Sequence, residues 1–258
     1  MSISKNKKEQ VKAVQKTSLR KKFQRYDPEP AKMPFHTRLL GKDRLALFSF
    51  IHSLNTNFGT SIFEPVAIIL AKDNFKEATA QQTAGEKIST EAQKVIQKIM
   101  DDLTTARTIP DKVAEIQAIR EACQKGEMQN VKPTKIDVFL KTKNDEMYLM
   151  DIKTAKPNAG GFKEFKRTLL EWVAVVLADE PGLKIHTFIA IPYNPYAPKP
   201  YSRWTMRGML DLDNELKVAE EFWDFLGGEG TYQQLLDCFE EVGIELRPEI
   251  DEYFRKFV

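Results

Sequence analysis

The sequence predicts an α/β fold: a small central mixed sheet carrying a β-hairpin, flanked by many helices, in one domain over residues 1–258. Three observations predict it. Residues 135–142 (KIDVFLKT) and 146–154 (EMYLMDIKT) are short runs of strand-forming residues, with Lys143-Asn144-Asp145 as a tight turn between them. A helical run over 162–178 and a buried-strand run over 184–191 (KIHTFIAI) follow. Most of the remaining chain places its apolar residues at helical spacing.

The elements are justified in order. Residues 1–30 form a basic arm, whose first 25 residues hold nine Lys or Arg against one acid, Glu9. Such an arm attracts any polyanion without reading its sequence. The alternative is a solvated, frayed helix. Residues 42–54 read as a helix, which the turn-rich stretch Asn55 to Ser61 should break. A second helix starts near Ser61 or Phe63 and runs through Leu70, with Pro65 in its first turn, where a missing N–H costs nothing. Residues 86–103 and 110–125 read as two amphipathic helices divided by Pro110.

After the hairpin, residues 157–161 form a loop. The helix at 162–178 sets Phe165, Leu169, Trp172, Val173 and Val176 on one side and ends at Pro181-Gly182. Residues 192–208 are loop-like and rich in Pro and Tyr, and Tyr193, Tyr196, Tyr201 and Trp204 read as pins for that loop. Helices follow at 213–226 and 231–242, punctuated by Gly227-Gly228. Residues 209–258 are an acidic helical region with 14 acids and four basic residues. The basic arm and body are expected to meet phosphate while the acidic end faces away.

Composition excludes several classes. No run of 18 apolar residues exists, which argues against a membrane span, and no apolar segment follows the basic N-terminus as a secretory signal would need. Cys123 and Cys238 lie far apart, which excludes a disulfide framework and points to a reducing cytoplasm. His36, His52 and His186 read as structural and leave little material for a histidine metal site.

The chemistry is expected on the hairpin. Asp151 and Lys153 are two residues apart in one strand and share a face. If Asp137 from the neighbouring strand joins them, two carboxylates beside a lysine suit a hard cation such as Mg²⁺, which prefers oxygen ligands. The lysine then orients or helps deprotonate a water, or steadies developing negative charge. Register tests the idea. A loop of two or four residues sets Asp137 opposite Ile152 and sends the aspartates to opposite faces. A three-residue loop at 143–145 sets Asp137 opposite Asp151. The bland alternative is a pair of half-exposed strand-end aspartates with Lys153 as salt-bridge partner.

Asp137 followed by Asp151-Ile152-Lys153, on two strands before a helix and a third strand, resembles the PD-(D/E)xK nuclease superfamily. Ile136 stands where the motif has proline. The core match covers residues 135–192, under a quarter of the chain. More widely, the stretch from Ser53 to Pro65 (SLNTNFGTSIFEP) and the stretch from Asp151 to Asn158 (DIKTAKPN) resemble type II restriction endonucleases, with those reading the interrupted palindrome GGNCC as the nearest group.

The resemblance implies a restriction-endonuclease-like fold with its catalytic core at 135–192. It implies Mg²⁺-dependent, sequence-specific hydrolysis of double-stranded DNA, with Glu64 joining Asp137 and Asp151 as an acidic ligand. Glu64 has a plainer reading as an acid favourable to a helix start. Near the expected chemistry, Lys156, Asn158, Lys163, Lys166, Arg167, Arg203 and Arg207 are the candidate DNA contacts, reading bases or phosphates. A homodimer is implied by palindromic sites, with its contact sought in 86–125 or 209–258. The restriction reading also implies a cognate DNA methyltransferase in the same cell. Two alternatives remain: a repair or recombination nuclease with the same core, and a non-catalytic nucleic-acid-binding protein.

Overall fold

The computed structural model describes residues 3–26, 33–153, 161–202 and 208–255. The chain begins with helices α1 (Lys5–Arg25), α2 (Pro34–Leu40) and α3 (Lys42–Phe58), a π-helical turn (Gly59–Phe63) and α4 (Glu64–Ala71). Strands β1 (Glu77–Thr83) and β2 (Lys87–Ser89), helices α5 (Thr90–Thr104) and α6 (Lys112–Ala122), and strand β3 (Met128–Asn130) follow. The hairpin is β4 (Lys135–Lys141) and β5 (Met147–Ile152), before α7 (Phe162–Asp179) and β6 (Ile185–Ile191). The chain closes with α8 (Leu212–Glu215), β7 (Leu216–Val218), α9 (Glu220–Gly227), α10 (Thr231–Glu245) and α11 (Arg247–Arg255).

The central sheet is mixed, in the order β1-β4-β5-β6-β7. β4 pairs antiparallel with β1 and β5, whereas β5–β6 and β6–β7 are parallel. The parallel link between β5 and β6 is made through α7, the long crossover that parallel neighbours require. Successive strand residues face opposite layers. Val138, Leu140 and Met150 pack into an apolar cluster with Val66, Leu70, Phe222 and Trp223 of α4 and α9. Phe139 and Leu149 enter the other cluster, with Ile96 of α5, Ile119 of α6 and Trp172 of α7.

The predicted fold class holds, and several boundaries move. The turn-rich stretch at 55–61 does not break the helix. α3 continues to Phe58 and passes through the π-helical turn into α4. Phe58 and Phe63 stack edge-on at 5.7 Å, and Phe58 also meets Phe239, so tertiary packing overrides the local turn signal. The helix expected from 86 starts at Thr90, where Ser89 caps it by accepting from the Ala92 amide, and β2 occupies 87–89. The helix expected at 213–226 is divided into α8, β7 and α9.

The N-terminal arm and acidic end also depart from expectation. α1 is a docked helix with Val11, Gln15 and Ser18 buried. The acidic end does not face away from it. Lys12 pairs with Glu241, Lys16 with Glu245 at 2.5 Å, and Arg20 makes a two-pronged bond to Glu249 at 2.7 and 2.9 Å. Both series advance four residues at a time, one helical turn, so the opposite charges meet in step.

Candidate active site

The hairpin turn sets the parity of the site. Thr142 N–H donates to the Glu146 carbonyl at 2.9 Å, and Asp145 N–H donates to the Thr142 carbonyl at 3.0 Å. Asp145 takes a left-handed conformation, φ +61°, which aspartate tolerates better than most side chains. This is the odd, three-residue loop at 143–145. It pairs Val138 with Met150 and Lys141 with Met147. Carried one step further, that register sets Asp137 across from Asp151.

The structure brings Glu64, Asp137, Asp151 and Lys153 into one neighbourhood. Lys153 Nζ lies 2.7 Å from Asp151 Oδ1 and 4.8 Å from the centre of the Phe165 ring on α7. Asp137 Oδ2 accepts the Ile152 backbone N–H at 2.8 Å, which ties the first aspartate to the strand of the second. Lys153 N–H donates to the Ala190 carbonyl at 2.9 Å and holds the end of β5 against β6. Glu64, at the junction of the π-helical turn and α4, is buried with 3% exposure. Gln81 of β1 joins the group: its Nε2 donates to Glu64 Oε2 at 2.7 Å and approaches Asp137 Oδ1 at 3.4 Å.

Burial makes Glu64 and Asp151 reluctant to ionise. Glu64 is pushed up to about 7, chiefly by desolvation and further by the charge of Asp137, against the opposing hydrogen bond from Gln81. Asp151 is also pushed up to about 7. Its desolvation outweighs the nearby Lys153, and Asp137 adds to the rise. A cleft of about 590 Å³ opens over the group, between α3 and the loop after β6. Glu64, Asp137 and Lys153 reach it, with His52, Asn55 and Thr56 from α3 and Tyr193 on the far side.

The donor set fits a hard divalent cation. Its oxygens are carboxylates, and the cost of ionising them together is what a bound cation offsets. Among the described residues, no three acidic, histidine or cysteine side chains already converge as a closed ion shell. Lys153 and Gln81 instead supply the positive and donor groups against them.

The basic residues expected at DNA divide. Lys156, Asn158, Arg203 and Arg207 lie outside the described residues. Lys163 is exposed in the first turn of α7. Arg167 donates to Gln97 Oε1 at 2.8 Å and lines a separate cavity of about 450 Å³ between α5 and α7. Lys166 is a correction. It is wholly buried, with Nζ 2.5 Å from Glu115 Oε2 and 2.6 Å from Glu215 Oε2, and cannot reach DNA. Lys112 completes this buried group at 2.9 Å from Glu215 Oε1. Phe162, Lys166, Leu169, Leu170 and Val173 fall on one helical stripe, a signal in the sequence that Lys166 faces inward.

Sequence reasoning missed Gln81 and the cleft residues Asn55 and Thr56. It read His52 and Tyr193 as structural, whereas both line the cleft. His186 fits its structural reading, stacked on Tyr148 with ring centres 4.4 Å apart.

A mixed sheet with acidic groups and a lysine at a hairpin's open end, beneath a cleft, defines a protein of the restriction-endonuclease-like class. The chain belongs to the HinfI family of type II restriction endonucleases, whose family model matches residues 3–243. It is 29% identical to the type II restriction enzyme MjaII of Methanocaldococcus jannaschii, over 98% of this chain and 74% of the relative. The type II restriction enzymes HgiCII and HgiBI of Herpetosiphon aurantiacus are 26% and 24% identical. They cover 84% and 95% of this chain, and 80% and 91% of their own lengths. The protein is a site-specific deoxyribonuclease acting on double-stranded DNA, and its family implies dependence on a divalent metal. Among the described residues, no helix is long and apolar enough to cross a membrane.

Proposed function

We propose that the protein cleaves both strands of a GGNCC-type interrupted palindrome, with Mg²⁺ as its metal and a homodimer as its working form. Asp137, Asp151 and Glu64 would hold the metal, and Lys153 would complete the catalytic group. The single observation that carries this assignment is the odd hairpin register, which brings Asp137 to the face that holds Asp151 and Lys153.

Bound Mg²⁺ supplies charge neutralisation at the scissile phosphate and acidifies a water. Lys153, 2.7 Å from Asp151, would orient the attacking water, whose in-line approach expels the 3′ oxygen on the opposite side of phosphorus. Phe165 beneath the ammonium and the Lys153–Ala190 backbone bond fix where that side chain starts from. Glu64 resists ionisation in the metal-free fold, pushed up to about 7 by burial, and a cation bound beside it would favour its carboxylate form. Lys163 contacts DNA, and so do Lys156, Asn158, Arg203 and Arg207, which lie outside the described residues and are proposed from the sequence alone. Arg167 is a weaker candidate, because Gln97 already holds its guanidinium.

One chain carries one such group, and a duplex has two strands, so a second copy supplies the second cut. Seven large apolar side chains stand exposed between Met33 and Ile51, with Phe35 and Leu39 more than 80% exposed. α2 buries none of its residues, and a seven-residue helix is not stable without packing. α3 carries this apolar face directly into the cleft through His52, Asn55 and Thr56. These features favour α2–α3 as the dimer contact over 86–125 or 209–258. A cognate methyltransferase and a cytoplasmic setting complete the reading.

The test is a plasmid digest with Mg²⁺, with EDTA, and with Asp151→Ala. Discrete fragments that need both Mg²⁺ and Asp151, with ends that map to GGNCC, support the proposal. Cleavage retained in Asp151→Ala removes the assigned group.

A further inference from the structure

We propose that Gln81 is a positioning residue that spaces Glu64 and Asp137 for the divalent cation. This rests on the reading of those two carboxylates as metal ligands.

β1 runs along the free edge of β4, with Ala80 paired to Val138 and Gln82 to Ile136. Between these pairs Gln81 stands across from Asp137, and there its backbone turns left-handed, φ +58°. Asp145, Ala106 and Ala219 share a positive φ, but among the described residues only Gln81 has one inside a strand. An L residue with a long side chain meets steric strain in that conformation, so surrounding structure must hold it there. The side-chain contacts show what the turn achieves. One amide nitrogen faces two carboxylates from different elements, Glu64 Oε2 at 2.7 Å and Asp137 Oδ1 at 3.4 Å.

The residue type matters at this point. An amide presents two N–H donors and adds no charge. Asparagine is one methylene shorter, methionine has the length without the donors, and glutamate adds a third negative group. Gln81 contacts one oxygen of each carboxylate, which leaves Glu64 Oε1 without that bond and Asp137 Oδ2 on the Ile152 amide. It thereby fixes both rotamers before any cation arrives. Partners of metal ligands commonly alter metal affinity by about 10–100-fold when removed.

The experiment measures Mn²⁺ binding to DNA-free protein by calorimetry, and the Mg²⁺ concentration for half-maximal cleavage, in Gln81→Met and Gln81→Glu. Gln81→Gly is the backbone control, because glycine accepts the left-handed turn without strain. In Gln81→Met and Gln81→Gly, both metal midpoints should rise by about 10-fold or more, with a smaller loss of rate at saturating metal. Far-ultraviolet circular dichroism should keep its native form. Gln81→Asn should restore less than half of the lost affinity. Unchanged midpoints in the folded Met and Gly variants overturn the proposal. If Gln81→Met fails to fold while Gln81→Gly folds, the Gly variant decides. Glu64→Gln and Asp137→Asn separate the two claims: if neither alters Mn²⁺ binding, the ligand reading fails rather than the positioning role.

Discussion

Lys166 Nζ lies 2.6 Å from Glu215 Oε2, and both side chains are wholly shut off from solvent. The same ammonium also meets Glu115, and Lys112 shares Glu215 from α6. Two lysines and two glutamates thus sit together in the interior where α6, α7 and α8 converge. Asp211 N–H also donates to Glu215 Oε2 at 2.9 Å, so this carboxylate has a full set of partners. Against the upward pull of burial, the charges and hydrogen bonds of Lys112 and Lys166 hold Glu215 below the usual carboxylate range.

Breaking that group should be costly. Lys166→Met leaves Glu115 and Glu215 short of a buried partner, and removal of one member of a buried pair costs about 3–5 kcal/mol. Urea unfolding should show a large fall in midpoint with little change in slope. DNA affinity of the folded fraction should stay near that of the parent. A stable Lys166→Met that binds DNA poorly would return Lys166 to the DNA surface.

The site's carboxylates give a pH dependence with a definite sign. Glu64 and Asp151 rise from ordinary values of 4.5 and 3.8 to about 7 in the fold. The folded state therefore binds more protons than the unfolded chain between those limits. Their contribution to stability is present below about pH 4 and is lost as pH rises through about 7. Metal-free protein should lose on the order of 1–3 kcal/mol between pH 5 and pH 8 from each of these groups. Glu64→Gln and Asp151→Asn should each flatten the profile. Thermal melts across that range check it, and a parent profile that rises from pH 5 to 8 would contradict the assignment.

Much of this was readable in the residues, and the exceptions have physical reasons. Strand periodicity put Asp151 and Lys153 on one face, but loops of two, three or four residues all suited Lys143-Asn144-Asp145, and the left-handed turn at Asp145 in the fold selects the odd one. β1 was not readable. Its sequence, EATAQQT, has two threonines but no large apolar residue to mark a buried face, and its strand state comes from pairing along β4. Gln81 was hidden with it. The charges of arm and tail were legible as totals. Their mutual pairing needed the fold, although the four-residue spacings of Lys12, Lys16, Arg20 and of Glu241, Glu245, Glu249 are both in the sequence.

That pairing gives a third prediction. Lys12, Lys16 and Arg20 are engaged by acids and should contribute little to DNA attraction. Their joint replacement by glutamine should leave the slope of log affinity against log salt within about one unit of the parent, whereas three lost phosphate contacts would lower it by about 2.7. Stability should fall only modestly, because the partner glutamates are 40–58% exposed and solvent screens such pairs. Filter binding over a salt series and a denaturant titration measure the two effects.

The apolar face of α2–α3 makes the fourth prediction, which concerns the form of the DNA product. Phe35 and Leu39 are one turn apart and almost fully exposed, and Phe48 is 63% exposed on α3. None supports the described core, so Phe35→Ser, Leu39→Ser and Phe48→Ser together should leave the melting temperature of the separated chain little changed. Sedimentation should shift from the mass of two chains toward that of one. The catalytic group of each chain remains intact, so supercoiled plasmid should accumulate as nicked circles before any linear form appears. Parent protein should give linear product with little nicked intermediate, because its two copies cut the two strands in one encounter. A triple variant that stays dimeric and linearises plasmid at the parent's rate would place the contact elsewhere. The exposed Ile109 and Val113 near α6 and Ile244 of α10 would then be the next residues to replace.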